Sequence, residues 1–129
     1  MEHFRPLSLF LLVCVLTACE KPLPTLDDVD LQRWQQDKNA CDDTRASTLQ
    51  ALEEQKDKLL SLDQMQIVSL LGKPDQNELS RRNEKFFYYF IDPAPNCPTP
   101  ARTARRLVVR FNAVGLAKEV IVVDGGNVD

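Results

Sequence analysis

Of the four cysteines in this chain, Cys14 and Cys19 fall in an N-terminal stretch patterned as a secretion signal, and Cys41 and Cys97 fall beyond it. The stretch opens with a short polar region carrying Arg5. It continues through the apolar run Leu7–Leu16 and ends on Thr17-Ala18, two small residues ahead of Cys19. The apolar run is too short for a permanent membrane span, which needs about twenty residues. An aliphatic residue, two small residues and then a thiol is the pattern cleaved by a lipoprotein signal peptidase. Cys14 does not fit it, because Val13 is too bulky for the small site. Residues 1–18 are therefore expected to be removed, leaving Cys19 as a lipid-bearing first residue. A diacylglyceryl group plus an N-acyl chain such as palmitate meets the need for more than one chain in stable anchoring. Glu20, where Asp would favour the inner membrane, points to the outer membrane, with the domain facing the periplasm. In that oxidising compartment the two remaining cysteines, Cys41 and Cys97, read as a disulfide closing a long loop.

The rest of the chain divides simply. Residues 19–26 hold Pro22 and Pro24 and read as a tether. A single domain is expected over 27–124, with 125–129 as a loose tail. Asp27 and Asp28 suit helix capping. From Val29 to Leu62 there is no Gly or Pro, and Leu31, Trp34, Lys38, Cys41, Arg45, Leu49, Leu52, Lys56 and Leu59 recur at helical spacing. One long helix is predicted, thinnest at Asp42–Arg45, where it could break into two, with Lys38, Arg45 and Lys56 along a rim. Asp63 caps a short helix over 64–71, which Gly72 and Pro74 end. Asp75 to Glu84 is polar and reads as a loop or an irregular edge. Lys85–Ile91 is a strand of bulky residues. Asp92–Ala101 holds four prolines and reads as a loop. Leu107–Phe111 and Leu116–Val123 form a hairpin about Asn112–Gly115. The prediction is an α+β domain with N-terminal helices, one long and one short, packed on one face of a three-stranded antiparallel sheet.

Composition excludes more chemistry than it suggests. His3, in the signal, is the sole histidine, so the mature chain lacks the means for Ser-His or Cys-His catalysis and for most zinc sites. Asp27, Asp28 and Asp30 are explained by capping rather than by calcium. The glycines form no phosphate-cradling loop. No cofactor, metal or enzymatic activity is expected. Residues 20–63 carry eleven acids and six bases and residues 64–129 seven and nine, too balanced for nucleic-acid binding.

Two candidate surfaces stand out. Alternation along the aromatic strand sends Phe86, Tyr88 and Phe90 to one face and Phe87, Tyr89 and Ile91 to the other. Helices cover one face, so the other offers aromatics to a partner, unless loops cover them. The second is the basic group Arg102, Arg105, Arg106 and Arg110, with Arg81 and Arg82 nearby. It suits an anionic ligand or lipid phosphate, or else solvates a sheet edge.

Residues 63–123 resemble small outer-membrane lipoproteins of the SmpA/OmlA type, a family represented in the β-barrel assembly machinery. The resemblance rests on the short helix ending Leu70-Leu71-Gly72-Lys73-Pro74, the aromatic run Phe87-Tyr88-Tyr89-Phe90, and Leu107–Phe111 followed by Gly115 and an aliphatic strand. It implies two helices on a three-stranded sheet and a role in protein contact, in outer-membrane assembly or integrity. β-Lactamase-inhibitor proteins share a similar architecture with a different partner, so the fold alone does not choose one.

Overall fold

A computed structural model describes residues 22–125; Cys14, Cys19 and the tail from 126 lie outside the described residues. Four antiparallel strands form one sheet in sequence order: β1 (Gln76–Leu79), β2 (Lys85–Phe90), β3 (Arg106–Phe111) and β4 (Ala117–Val123). The three-stranded prediction is one strand short. The missed strand is β1, and every one of its residues is exposed. It has no buried face to impose an alternating pattern, so nothing in its composition separates it from a polar loop.

The long helix is also absent. In its place stand α1 (Leu31–Gln36) and α2 (Leu49–Glu54), with short 3-10 turns at Lys38–Ala40, Ala46–Thr48 and Lys56–Leu59. Asp37 supplies the reason. Its carboxylate accepts the backbone N–H groups of Asp42 (2.8 Å) and Thr44 (2.9 Å) and the Thr44 hydroxyl (2.8 Å). These local bonds replace a helical ladder with a closed loop. Asn39, Ala40 and Asp43 all take positive φ inside it, which no continuing helix permits. Burial alone would raise the Asp37 pKa; those hydrogen bonds and the charge of Arg45 outweigh it and hold the carboxyl below the ordinary aspartate range. Asp30, rather than Asp27 or Asp28, caps α1 by accepting from Arg33 N at 3.1 Å.

The short helix α3 (Gln64–Leu71) begins on a capping box, in which Asp63 accepts from Gln66 N and the Gln66 side chain accepts from Asp63 N. Gly72 ends it at φ +81°. A Cβ there would lie 2.9 Å from Gln35 Cγ. The close approach lets Gln35 Nε2 donate to the last-turn carbonyls of Ser69 (3.2 Å) and Leu70 (2.8 Å), so α1 satisfies the end of α3.

The main core lies between these helical pieces and one sheet face. Trp34, Leu52, Leu59, Ile67 and Leu71 meet Phe87, Tyr89, Leu107, Val109 and Phe111 there. Phe87 and Phe111 pack edge-on at 4.7 Å between centroids. Burial holds the Tyr89 pKa far above the ordinary tyrosine range, and its hydroxyl donates to Gly72 O at 2.8 Å. Cys41 and Cys97 are disulfide-bonded; Cys97 belongs to a second small cluster with Ala40, Phe90 and Ala94, and Cys41 packs against it.

Candidate functional site

Strand pairing sorts the candidate aromatics. Gln76 and Val108 flank Tyr88 on its two sides, Glu78 and Arg110 flank Phe86, and Ile121 follows beyond Val108. Side chains directly opposite in a ladder share a face. Gln76, Glu78, Phe86, Tyr88, Val108, Arg110, Glu119 and Ile121 therefore occupy the face away from the main core. Phe87 and Tyr89 belong to the core and are not available to a partner. Phe90 points to the outer face but is buried under the proline-rich loop, against Ala94 and Cys97. What remains is a stripe of half-buried Phe86 and Tyr88, buried Val108 and exposed Ile121.

The stripe is ordered by polar neighbours that already have partners. The Phe86 and Tyr88 rings stack with centroids 6.3 Å apart. The Tyr88 hydroxyl donates to Glu78 Oε2 at 2.9 Å; burial first, then this bond and the Glu78 charge, raise its pKa. Arg106 lies over the Tyr88 ring, 4.5 Å from the centroid, and reaches Gln76 Oε1 at 3.2 Å. Arg110 lies 3.3 Å from Glu84 and 3.9 Å from Glu119.

The arginines do not gather into one concavity. Arg105 grips Asp92 with Nε at 2.8 Å and Nη2 at 2.9 Å, and its backbone N–H adds a third bond. The Arg105 guanidinium holds the Asp92 carboxyl below the ordinary range. Arg106 and Arg110 sit at opposite ends of β3, Arg102 is exposed in the loop before it, and Arg81 and Arg82 are exposed in the turn between β1 and β2. The group is spread along the sheet, with three of its members already engaged.

Arg45 was predicted at a helix rim and is instead fully buried. It donates to Trp34 O (3.0 Å), Phe90 O (3.0 Å) and Asp75 Oδ2 (2.6 Å), and lies 4.9 Å from the Trp34 ring centre. Asp75 also accepts from Phe90 N and Asn39 N. The ion pair is structural, since both side chains are almost wholly closed to solvent.

Among the described residues, no group of three or more His, Cys, Asp or Glu is placed to hold a metal ion, and no helix is long and apolar enough to cross a membrane. Comparison with protein-family models, curated proteins and solved structures gives no match.

Proposed function

We propose that the protein is a non-enzymatic, lipid-anchored bacterial envelope protein that binds another envelope protein through the outer face of its sheet. The observation that carries this reading is the stripe Phe86–Tyr88–Val108–Ile121, which lies on the sheet face turned away from the main core and keeps Phe86, Tyr88 and Ile121 partly open to solvent. Four strands spaced about 4.8 Å apart and roughly six residues long give a face of about 15 by 20 Å. That is well below the roughly 800 Å² per partner of a standard interface. It suits one element of a partner, such as the apolar stripe of a helix, better than a whole domain or a second copy of this chain. Arg110 is paired with Glu84 and Glu119, Arg106 lies over the Tyr88 ring and reaches Gln76, and Glu78 accepts from Tyr88, so the charges at the border of the stripe are already engaged within the face. Recognition then rests on apolar contact and should vary little with salt. The resemblance to SmpA/OmlA-type lipoproteins supports a protein-contact role in outer-membrane assembly or integrity, with Cys19 as the anchor.

A photocrosslinking residue in place of Ile121 tests this in whole cells. A discrete adduct is expected, lost when Phe86→Asp is added and absent when the crosslinker replaces Met65, which is exposed on α3. No adduct at Ile121, or one indifferent to Phe86→Asp, would remove the reading.

A further inference from the structure

We infer that a cleft between the end of α1 and the α3–β1 connection is a binding site for a phosphate group. It is lined by Gln35, Lys38, Asn39, Lys73, Pro74 and Asp75, with a volume of about 180 Å³. Drug-sized pockets run to roughly 300–1,000 Å³, so the cleft admits a head group or small oxyanion and not a larger organic molecule.

The charges decide its sign. Asp75 is the sole carboxylate in the lining, and both its oxygens are turned inward. Oδ1 accepts from Asn39 N, and Oδ2 from Arg45 and Phe90 N. The buried guanidinium neutralises it. Lys38 and Lys73 are exposed, and neither has an ion-pair partner among the described residues. The cleft is thus left with two cations. The Gln35 amide nitrogen is committed to Ser69 O and Leu70 O. The Asn39 side chain makes no hydrogen bond within the described residues and can donate to a ligand.

The walls are fixed before any ligand arrives. Gly72 allows the Lys73 loop to sit against Gln35, and the Asn39 carbonyl is held by Ala94 N at 3.0 Å. Two ammonium groups match a dianionic phosphate better than a single carboxylate. The lining has no arginine fork that would select a planar carboxylate; lysines hold phosphate as point charges. The arginines of β3, which the sequence offered for this role, are occupied elsewhere.

The phosphate could belong to a soluble metabolite or to a lipid head group, and a titration separates the two. The full-length protein, ¹⁵N-labelled in a maltoside detergent, is titrated with inorganic phosphate, glycerol 3-phosphate and dihexanoyl phosphatidic acid at constant ionic strength. The amide signals of Asn39, Lys73 and Asp75 should move and saturate, and binding should weaken as salt rises. Lys38→Met with Lys73→Met should weaken binding roughly tenfold or more, while Lys38→Arg with Lys73→Arg retains it. Both lysines are exposed, so an unchanged urea midpoint should accompany the loss. Tighter binding of the phosphatidic acid assigns the head group; equal binding of all three assigns a soluble phosphate. Shifts that never saturate, that chloride reproduces, or that persist in the methionine variant overturn the proposal. Phe86→Asp should leave this binding unchanged, which separates its failure from that of the sheet-face reading.

Discussion

At the residue scale, Arg45 carries the largest consequence. Removing one partner of a buried ion pair strands the other, at a cost of about 3–5 kcal/mol. Arg45→Met should lower the free energy of unfolding by about that amount in a urea titration. Arg45→Met with Asp75→Asn should recover part of the loss, because the remaining group is then neutral. Gly72→Ala should also destabilise, by about 1–3 kcal/mol, since its φ is positive and its Cβ would press on Gln35. The glycine was legible, because Gly-Lys-Pro after an apolar run is a helix stop with a physical cause. Arg45 was not. A cation on a helical stripe reads as a rim position, and its partner lies 30 residues away in a polar segment with no pattern of its own.

At the scale of elements, the disulfide and two carboxylates govern stability. Cys41 and Cys97 are separated by 56 residues, and the chain-entropy model gives a bridge of that span roughly 4 kcal/mol. Cys41→Ser with Cys97→Ser should therefore unfold at distinctly lower urea than the oxidised parent. Asp37 and Asp92 both have folded pKa values held below their unfolded ones. Their contribution is complete above the unfolded aspartate value of about 3.9 and is lost as pH falls through the folded values. The urea midpoint should be flat near neutrality and fall below about pH 4, less steeply in Asp92→Asn. Strands β2, β3 and β4 and helix α3 were readable because each has a buried face or a cap with a sequence signature. The long helix failed because periodicity records which residues face inward, not whether the backbone between them stays helical. A carboxylate such as Asp37, collecting N–H groups from Asp42 and Thr44, leaves the spacing of Trp34, Leu49 and Leu52 unchanged while breaking the rod.

At the scale of the whole molecule, the proposed anchor sets where the domain works. Leu26 is in the core, and Asp27 N donates to Gln55 while Thr25 O accepts from Lys58, so the chain is pinned within a few residues of Cys19. Cys19→Ser should release the protein from the membrane fraction or leave its precursor uncleaved. Intact-mass measurement reads this directly, and an unchanged mass and membrane association would contradict lipidation. Of the candidate aromatic site, the composition and alternation were legible. The division between core and outer face was not, because it depends on which side the helices pack and on where the proline-rich loop settles over Phe90.

The polar strand β1 has one more effect. Five of the six residues of β2 are aromatic. Without β1, that strand would form the border of the sheet, with unsatisfied backbone groups beside bulky apolar side chains. Such a border invites edge-to-edge pairing and fibril-like aggregation. Gln76–Leu79 hems it with a short strand exposed at every residue and carrying Glu78. The short polar strand β1 thus lets the aromatic strand present its side chains without presenting its edge.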